Sequence, residues 1–260
     1  MALIHNPLRR RLAEGGLALG FGVQHLRGSA TGMIAAATGF DWLFIDMEHG
    51  AMSVQDAAQI AVAALGQGIT PIVRICKDAL HEGTRCLDNG AMGVVVPHVD
   101  SAEEAAAVAR AYRFPPLGER SWGGPPFAYG LGAVDPAVAQ AELNAEILVA
   151  VMIETPQAVA QAEAIAAVPG VDVLMFGTSD LTASMGIPGQ IGHPDVRAAY
   201  ARVGAACAAH GKVMGMGGVY DQLVAPDYIR LGARFILGGN DHGFVMSGAQ
   251  ARAAFLRGLA

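Results

Sequence analysis

Three ionisable side chains, those of Asp46, Glu48 and His49, follow an apolar run that starts at Trp42. Such a run is typical of a buried parallel strand, and loops at the carboxyl ends of parallel strands commonly carry the functional groups of enzymes. A plainer interpretation is a polar turn in which Glu48 caps the next helix. We favour a functional site, because three ionisable groups in four positions are more than a turn needs.

Charged residues also stand at the ends of other apolar segments. Arg74 lies at the end of one segment, Glu154 ends another, and Asp180 follows a third. Two carboxylates that leave positions open for water suit a hard divalent cation such as Mg²⁺ or Mn²⁺, so Glu154 and Asp180 are candidate ligands. Each acid could instead cap the helix that follows it, an alternative that is stronger for Asp180 than for Glu154.

Short apolar segments that alternate with helical segments would position these residues. We predict strands at residues 17–23, 42–48, 70–75, 93–99, 146–154, 171–176, 212–218 and 235–239. This alternation predicts an α/β fold, a (β/α)8 barrel, with the charged residues on the rim at the carboxyl ends of the strands. A doubly wound open sheet is the second choice, since no Gly-x-Gly-x-x-Gly follows the first strand.

Local signals also mark several helix starts. Ser53 is predicted to cap one helix, Asp78 to start the next, and Ser101 to form a capping box with Glu104. A passage rich in glycine and proline, over residues 114–135, interrupts the alternation of strands and helices. Inside a compact domain, such a passage is typical of a functional loop.

The composition favours one globular domain over residues 1–260. Hydrophobic residues make up 53% of the chain and charged residues 15%, which suits a buried sheet wrapped by helices. The net charge of −6 argues against a nucleic-acid partner, and the apolar runs are too short to span a membrane. Three cysteines without Cys-x-x-Cys spacing are typical of a reducing compartment, so we expect a cytoplasmic protein.

Several short motifs occur in an order that covers nearly the whole chain. They are Gly39-Phe40-Asp41-Trp42, Asp46-x-Glu48-His49, Pro71-x-Val73-Arg74, Leu87-Asp88-Asn89-Gly90, Pro115-Pro116-x-Gly118-x-Arg120, Ile153-Glu154-Thr155 and Gly177-x-x-Asp180-Leu181. In these motifs the chain resembles the HpcH/HpaI class II pyruvate-dependent aldolases. The resemblance implies a modified (β/α)8 barrel of the phosphoenolpyruvate/pyruvate-domain type, a Mg²⁺, Mn²⁺ or Co²⁺ site, and a homohexamer with swapped C-terminal helices.

The resemblance also implies an activity, the reversible cleavage of 4-hydroxy-2-oxoacids to pyruvate or hydroxypyruvate and an aldehyde through a metal-stabilised enolate. Glu154 and Asp180 would bind the metal ion, and Arg74 would donate to the 2-oxo oxygen as charge develops on it. His49 would act as the base at the C4 hydroxyl, because imidazole titrates near working pH. The family pairs this histidine with an acid, here Asp88, which would orient it.

A further group of residues is expected around the substrate. Asp46 and Glu48 would hold metal-bound waters or the substrate hydroxyl. Gly177, Thr178 and Ser179 can offer backbone N–H groups at a helix start to the substrate carboxylate. These positions would make the rim a complete binding site for a small 2-oxoacid.

Two residues leave alternatives open. Met152 stands where the family commonly has glutamine, and a thioether cannot donate a hydrogen bond, so the donor is pyruvate or a bulkier 2-oxoacid such as hydroxypyruvate. His98 lies at the end of the fourth predicted strand and would either touch the aldehyde part of the substrate or pack as a core histidine. For the whole chain, the alternatives are a related metal-enolate lyase or decarboxylase and a silent barrel that only binds a metabolite.

Overall fold

The computed structural model describes residues 4–259. Within these residues eight parallel strands form the sheet: β1 (Ala18–Val23), β2 (Trp42–Asp46), β3 (Thr70–Arg74), β4 (Gly93–Val96), β5 (Leu148–Ile153), β6 (Val173–Gly177), β7 (Val213–Gly217) and β8 (Ala233–Asn240). Each strand pairs with its neighbours in chain order, and β8 pairs with β1. The predicted (β/α)8 barrel is confirmed, and the open sheet is excluded because the ring of strands is closed.

Helices alternate with the strands and surround the barrel. They are α1 (Pro7–Ala13), α2 (Ala30–Ala37), α3 (Val54–Leu65), α4 (Leu80–Asp88), α5 (Ala102–Tyr112), α6 (Pro136–Glu146), α7 (Pro156–Ala160), α8 (Ala162–Ala166), α9 (Thr178–Ser184), α10 (Pro194–Ala209), α11 (Ala225–Arg230) and α12 (Asp241–Arg257), with a 3₁₀ helix at Phe127–Tyr129. In α1, Leu8 and Leu12 pack with side chains inside the barrel, so this helix closes the amino-terminal end of the barrel. None of the helices in residues 4–259 combines the length and the apolar character of a transmembrane span.

At Gly20 the packing of the barrel interior leaves no room for a side chain. Trp42 at the start of β2 is fully buried and stacks on Phe235 of β8, with 3.9 Å between the ring centroids. A Cβ atom at Gly20 of β1 would lie 2.3 Å from the Trp42 ring. Only a residue without a side chain leaves room for the indole there. This packing holds β1, β2 and β8 together below the rim that carries the site.

The helix starts follow the sequence signals in part. The predicted cap at Ser53 is confirmed, but α4 begins at Leu80 rather than at Asp78. The hydroxyl of Ser101 accepts the backbone N–H of Glu104 at 3.2 Å. The carboxylate of Glu104 accepts the backbone N–H of Asp100 and pairs with Lys77. It makes no hydrogen bond of good geometry back to Ser101, so the predicted reciprocal capping box is wrong. A four-residue motif carries no information about such competing partners.

Five strands, β2, β3, β4, β5 and β7, end earlier than predicted. As a result Glu48, His98 and Glu154 lie in loops just beyond β2, β4 and β5. After β2, the carboxylate of Asp46 accepts the backbone N–H groups of Glu48 and His49, each at 3.1 Å. These bonds replace the strand ladder and turn the chain outward. Side chains from neighbouring strands can therefore converge on one rim.

Candidate active site

Arg74 ends β3 and is the buried cation of the rim. Its Nε and Nη2 donate to the two carboxylate oxygens of Asp46, at 3.0 and 2.6 Å, and its Nη1 lies 3.1 Å from Oε2 of Glu48. Only 7% of Arg74 and 1% of Asp46 are exposed. Because a two-point pair between a guanidinium and a carboxylate is directional, Arg74 is held in a single orientation.

Asp46 is saturated with hydrogen bonds. Burial by itself would raise the pKa of Asp46, but the hydrogen bonds and charge of Arg74, together with a bond from Gln24, lower it below its ordinary value. Nε2 of Gln24 donates at 2.9 Å, in addition to Arg74 and the backbone N–H groups that follow β2. With these partners Asp46 orients Arg74, and its predicted contact to a metal-bound water or to the substrate hydroxyl stays a prediction.

Glu154 follows β5 and is buried against His98. Oε2 of Glu154 accepts the backbone N–H of His98 at 2.7 Å and lies 3.0 Å from its Nδ1. Nε2 of the same ring lies 3.2 Å from Oε1 of Glu48, and the side chain is 48% exposed. With a φ of 56°, His98 adopts the left-handed conformation that non-glycine residues rarely use. The ring bridges two carboxylates of the rim, so His98 is not a core histidine.

The carboxylates of Glu48 and Asp180 lie within electrostatic reach of the Glu154 carboxylate. Burial raises the pKa of Glu154, and the charges of Asp180 and Glu48 raise it further against the effect of His98. Oε2 of Glu48 is buried and makes no hydrogen bond of good geometry to the described residues. Within residues 4–259, no three His, Cys, Asp or Glu side chains are arranged as a complete metal site. Glu154 and Asp180 stay the predicted ligands; a divalent ion held by these two carboxylates would take its other ligands from substrate and water.

Gly177, the last residue of β6, makes room for the Glu154 carboxylate. A Cβ atom at Gly177 would lie 2.3 Å from Oε1 of Glu154. The next residue, Thr178, is buried, and its hydroxyl donates to the carbonyl of Gly217 at 2.6 Å and lies 2.8 Å from the hydroxyl of Tyr200. These contacts fix the start of α9, and with it the backbone that borders the carboxylates.

An open cavity of about 330 Å³ lies at the rim, and neither Glu48 nor Glu154 is among the residues on its wall. The predicted residues on its wall are Asp46, His49, Arg74, Ser179 and Asp180. A smaller pocket, of about 70 Å³, shares part of this wall. The predicted residues that only this pocket contacts are Met152, Gly177 and Thr178. The rim therefore offers space for a small molecule beside Arg74, Asp180 and His49.

Residues 26–247 match the family model described as HpcH/HpaI aldolase/citrate lyase. The chain belongs to this family. A 4-hydroxy-4-methyl-2-oxoglutarate aldolase of Hapsidospora irregularis is 40% identical over 255 residues, covering 96% of this chain and 94% of the relative. A 2-keto-3-deoxy-L-rhamnonate aldolase of Salmonella gallinarum is 33% identical, covering 99% and 96%. The crystal structure of an HpcH/HpaI aldolase from Desulfitobacterium hafniense DCB-2 has a TM-score of 0.88 at 29% identity, covering 98% of this chain and 97% of that one.

Membership of the HpcH/HpaI family confirms the resemblance that the sequence motifs indicated. Both named relatives are aldolases, and each is similar to this chain over almost its whole length. The predicted enzyme class is confirmed as well. This HpcH/HpaI family member is a carbon–carbon lyase, an aldolase that cleaves hydroxy-oxoacids.

Asp88 has a different partner from the one that the family resemblance implied. Its Oδ1 accepts a hydrogen bond from Nη2 of Arg120 at 2.7 Å, and the Arg120 side chain is fully buried over the ring of Phe114. Among residues 4–259, no hydrogen bond or ion pair joins Asp88 to His49. The His49 side chain is 59% exposed, and its Nε2 lies 4.0 Å from Oε2 of Glu48. Within one chain Asp88 therefore pairs with the buried Arg120 and not with His49, and the orienting role that the resemblance implied for Asp88 stays a prediction.

Proposed function

We propose that this aldolase cleaves 4-hydroxy-2-oxoacids reversibly to pyruvate and an aldehyde, with a divalent ion bound by Glu154 and Asp180. The observation that supports this most directly is the buried Arg74 guanidinium, fixed below an open cavity and within electrostatic reach of Glu154. When bound, Mg²⁺, Mn²⁺ or Co²⁺ would supply Lewis acidity toward the 2-oxo oxygen. The small-molecule partners would then be a 2-oxoacid and an aldehyde.

Arg74 would stabilise the negative charge that develops on the 2-oxo oxygen. Asp46 and Glu48 already hold its guanidinium, so no reorganisation is needed when the charge appears. The substrate carboxylate would lie in the smaller pocket, where the backbone N–H groups of Thr178 and Ser179 are the candidate donors. This arrangement would align the bond to be broken with the cavity above.

His49 would take the proton of the C4 hydroxyl during cleavage. As the bond between C3 and C4 breaks, the hydroxyl carbon becomes the aldehyde and the electron pair stays on C3, which gives the enolate of pyruvate. A proton then returns to C3 and forms the methyl group. His49 lines the cavity and is largely exposed, so it can exchange the proton with water.

Removing divalent ions with a chelator is expected to abolish pyruvate release from a 4-hydroxy-2-oxoacid, and added Mg²⁺ or Mn²⁺ should restore it. A lysine Schiff base finds no support. Of the two lysines in the chain, Lys77 pairs with Glu104 at 2.8 Å, and Lys212 lies at the amino-terminal end of β7, away from the rim. A coupled assay of pyruvate release, run before and after chelation and again after metal addition, measures the dependence on metal.

Borohydride added with pyruvate to the untreated enzyme is the control. Activity that survives chelation, or a trapped adduct on Lys77, would contradict the metal mechanism. Oxaloacetate is tested in the same assay, because a decarboxylase would turn it over faster than any 4-hydroxy-2-oxoacid. Turnover of the 4-hydroxy-2-oxoacid also distinguishes an aldolase from a barrel that only binds metabolites.

Pyruvate is expected to be preferred over hydroxypyruvate as the donor. The apolar side of the smaller pocket consists of Phe44, Met152, Met175 and Leu237. Met152 is 4% exposed, and its Sδ lies 4.0 Å from Nη1 of Arg74. A hydroxyl group buried against this wall loses its bonds to water, at a cost of about 1–3 kcal/mol. We expect kcat/KM for aldol addition to be roughly tenfold higher with pyruvate.

Met152→Gln places an amide at this wall and should narrow the preference by improving the use of hydroxypyruvate. Met33→Gln is the matched control, because Met33 is 55% exposed on α2. The ratio of kcat/KM for the two donors is compared in both variants and in the parent. A ratio that stays unchanged in Met152→Gln would contradict this account of donor choice.

We propose that α12 packs on a neighbouring subunit in a homohexamer with swapped C-terminal helices. Near its start, Phe244 packs on Phe21 and Phe40 of the same chain, with 5.2 and 5.7 Å between ring centroids. The large apolar side chains exposed along the rest of the helix are Val245, Met246, Phe255 and Leu256. Exposed apolar surface of this extent is typical of a surface that another chain covers.

Light scattering at micromolar concentration is expected to give the mass of a hexamer of 26.7 kDa chains. Leu256→Asp would place a charge in the proposed interface and should lower the mass. Leu223→Asp is the control, because Leu223 is 86% exposed in the loop before α11. A parent enzyme that is monomeric and fully active would contradict the proposed assembly.

We further propose that the chain works as one barrel domain, over residues 1–260, in the cytoplasm. The strands and helices of the barrel extend from Pro7 to Arg257, so they span the described chain from end to end. All three cysteines, Cys76, Cys86 and Cys207, are free thiols, and Cys76 is exposed. Free thiols of this kind suit a reducing compartment.

A further inference from the structure

A second cavity, of about 460 Å³, lies at the amino-terminal end of the barrel, opposite the catalytic rim. It is bordered by α1 and by the chain at the starts of β5, β6 and β7. Its polar wall carries Arg9, Asp172 and Lys212, and its apolar wall carries Leu12, Leu148 and Val171. A cavity of this size can hold a small organic molecule. None of its residues belongs to the proposed catalytic machinery.

Asp172 is the carboxylate of this cavity, and two arginines already neutralise it. Its Oδ1 accepts a hydrogen bond from Nη1 of Arg9 at 2.9 Å. Its Oδ2 accepts hydrogen bonds from Nη2 of Arg113 and, at 2.8 Å, from the backbone N–H of Val149. Arg113 is buried, whereas the Arg9 side chain is 35% exposed, and Nε and Nη2 of Arg9 donate to no described residue. Arg9 therefore keeps donors available for a ligand.

Lys212 has no carboxylate of its own. Its Nζ donates to the backbone carbonyls of Val171 and Val168, at 2.7 and 3.2 Å, and forms no ion pair within residues 4–259. Burial lowers the pKa of Lys212, and the charges of Arg113 and Arg9 lower it further against the effect of Asp172. Three cations thus share one carboxylate, which leaves excess positive charge beside an open cavity.

We propose that this cavity binds a small organic acid. The carboxylate of the ligand would pair with Nζ of Lys212 and with the free nitrogens of Arg9. Its carbon chain would cover the apolar wall formed by Leu12, Leu148 and Val171. An inorganic anion would satisfy the charges but leave this wall in contact with water, so an aliphatic carboxylate fits the cavity better.

Acetylation of the lysines by acetic anhydride tests the proposal, with butyrate as the probe. The chain contains only Lys77 and Lys212, so mass spectrometry follows each lysine separately. An anion paired with Lys212 favours the protonated ammonium group, so less of the uncharged amine that reacts with the anhydride is present. We therefore expect saturating butyrate to slow the acetylation of Lys212 about tenfold. Lys77 pairs with Glu104 far from the cavity and should keep its rate, which makes it the internal control.

Sodium chloride and inorganic phosphate at the same ionic strength separate binding from screening. Protection by butyrate alone would support the proposal. No protection by butyrate, or equal slowing by chloride, would overturn the site. Protection by phosphate as strong as that by butyrate would overturn the choice of an organic acid, since the apolar wall would then contribute nothing.

Two variants test the residues of the cavity. Arg9→Met should remove most of the protection of Lys212, whereas Arg10→Met, at an exposed residue paired with Glu14, should keep it. Circular dichroism checks that both variants fold. As a second test, butyrate should raise the thermal midpoint of the parent but not that of Lys212→Met. Full protection in Arg9→Met, or a midpoint shift retained in Lys212→Met, would overturn the proposal.

Discussion

Replacing Arg74 with lysine is expected to lower kcat/KM for aldol cleavage about 10²- to 10³-fold, the range found when a single donor to a developing oxyanion is removed. The guanidinium makes a two-point contact with Asp46 and a third contact with Glu48. An ammonium group is a point charge and cannot span these positions. Because Arg74→Lys keeps the positive charge, the loss would measure the orientation of the donor rather than its charge.

Arg202→Lys is the matched control, because Arg202 lies exposed on α10 and donates to the backbone carbonyl of Ala160. Steady-state kinetics are measured together with the thermal midpoint, since Asp46 would lose part of its buried pairing in Arg74→Lys. A folded Arg74→Lys enzyme as active as the parent would contradict the role proposed for the fixed guanidinium.

Gly177→Ala is expected to raise the concentration of Mg²⁺ or Mn²⁺ needed for half-maximal activity about 10- to 100-fold, as mutations that disturb the support of a metal ligand do. The added Cβ atom would lie 2.3 Å from Oε1 of Glu154, so the carboxylate must move. Gly177 has a φ of −96°, which alanine also adopts. The effect would therefore come from the displaced carboxylate and not from backbone strain.

Gly66→Ala is the control, because a Cβ atom there would meet nothing closer than 3.7 Å. Metal titrations of activity on both variants and the parent measure the difference, and circular dichroism confirms the fold. An unchanged requirement for metal in Gly177→Ala would contradict the placement of the ion at Glu154.

The sequence by itself determined the barrel and the strand ends that carry its rim. Apolar segments of strand length alternate with helical segments, and this alternation is a local property that can be read along the chain. Because parallel strands of a barrel all point the same way, Arg74, Glu154 and Asp180 could be assigned to one rim without coordinates. The family motifs extended this to roles for His49 and Asp88, which the local pattern could not supply.

The tertiary structure decided which of these groups meet. Asp88 pairs with Arg120 rather than with His49, and His98 bridges Glu48 and Glu154. These contacts join residues far apart in the chain, and their geometry depends on how the loops beyond the strands pack. Local sequence patterns indicate where a helix or strand starts and ends. They carry no information about a residue elsewhere in the chain that competes for the same side chain. The partners at the rim could therefore be assigned only after β2 to β5 had been brought together.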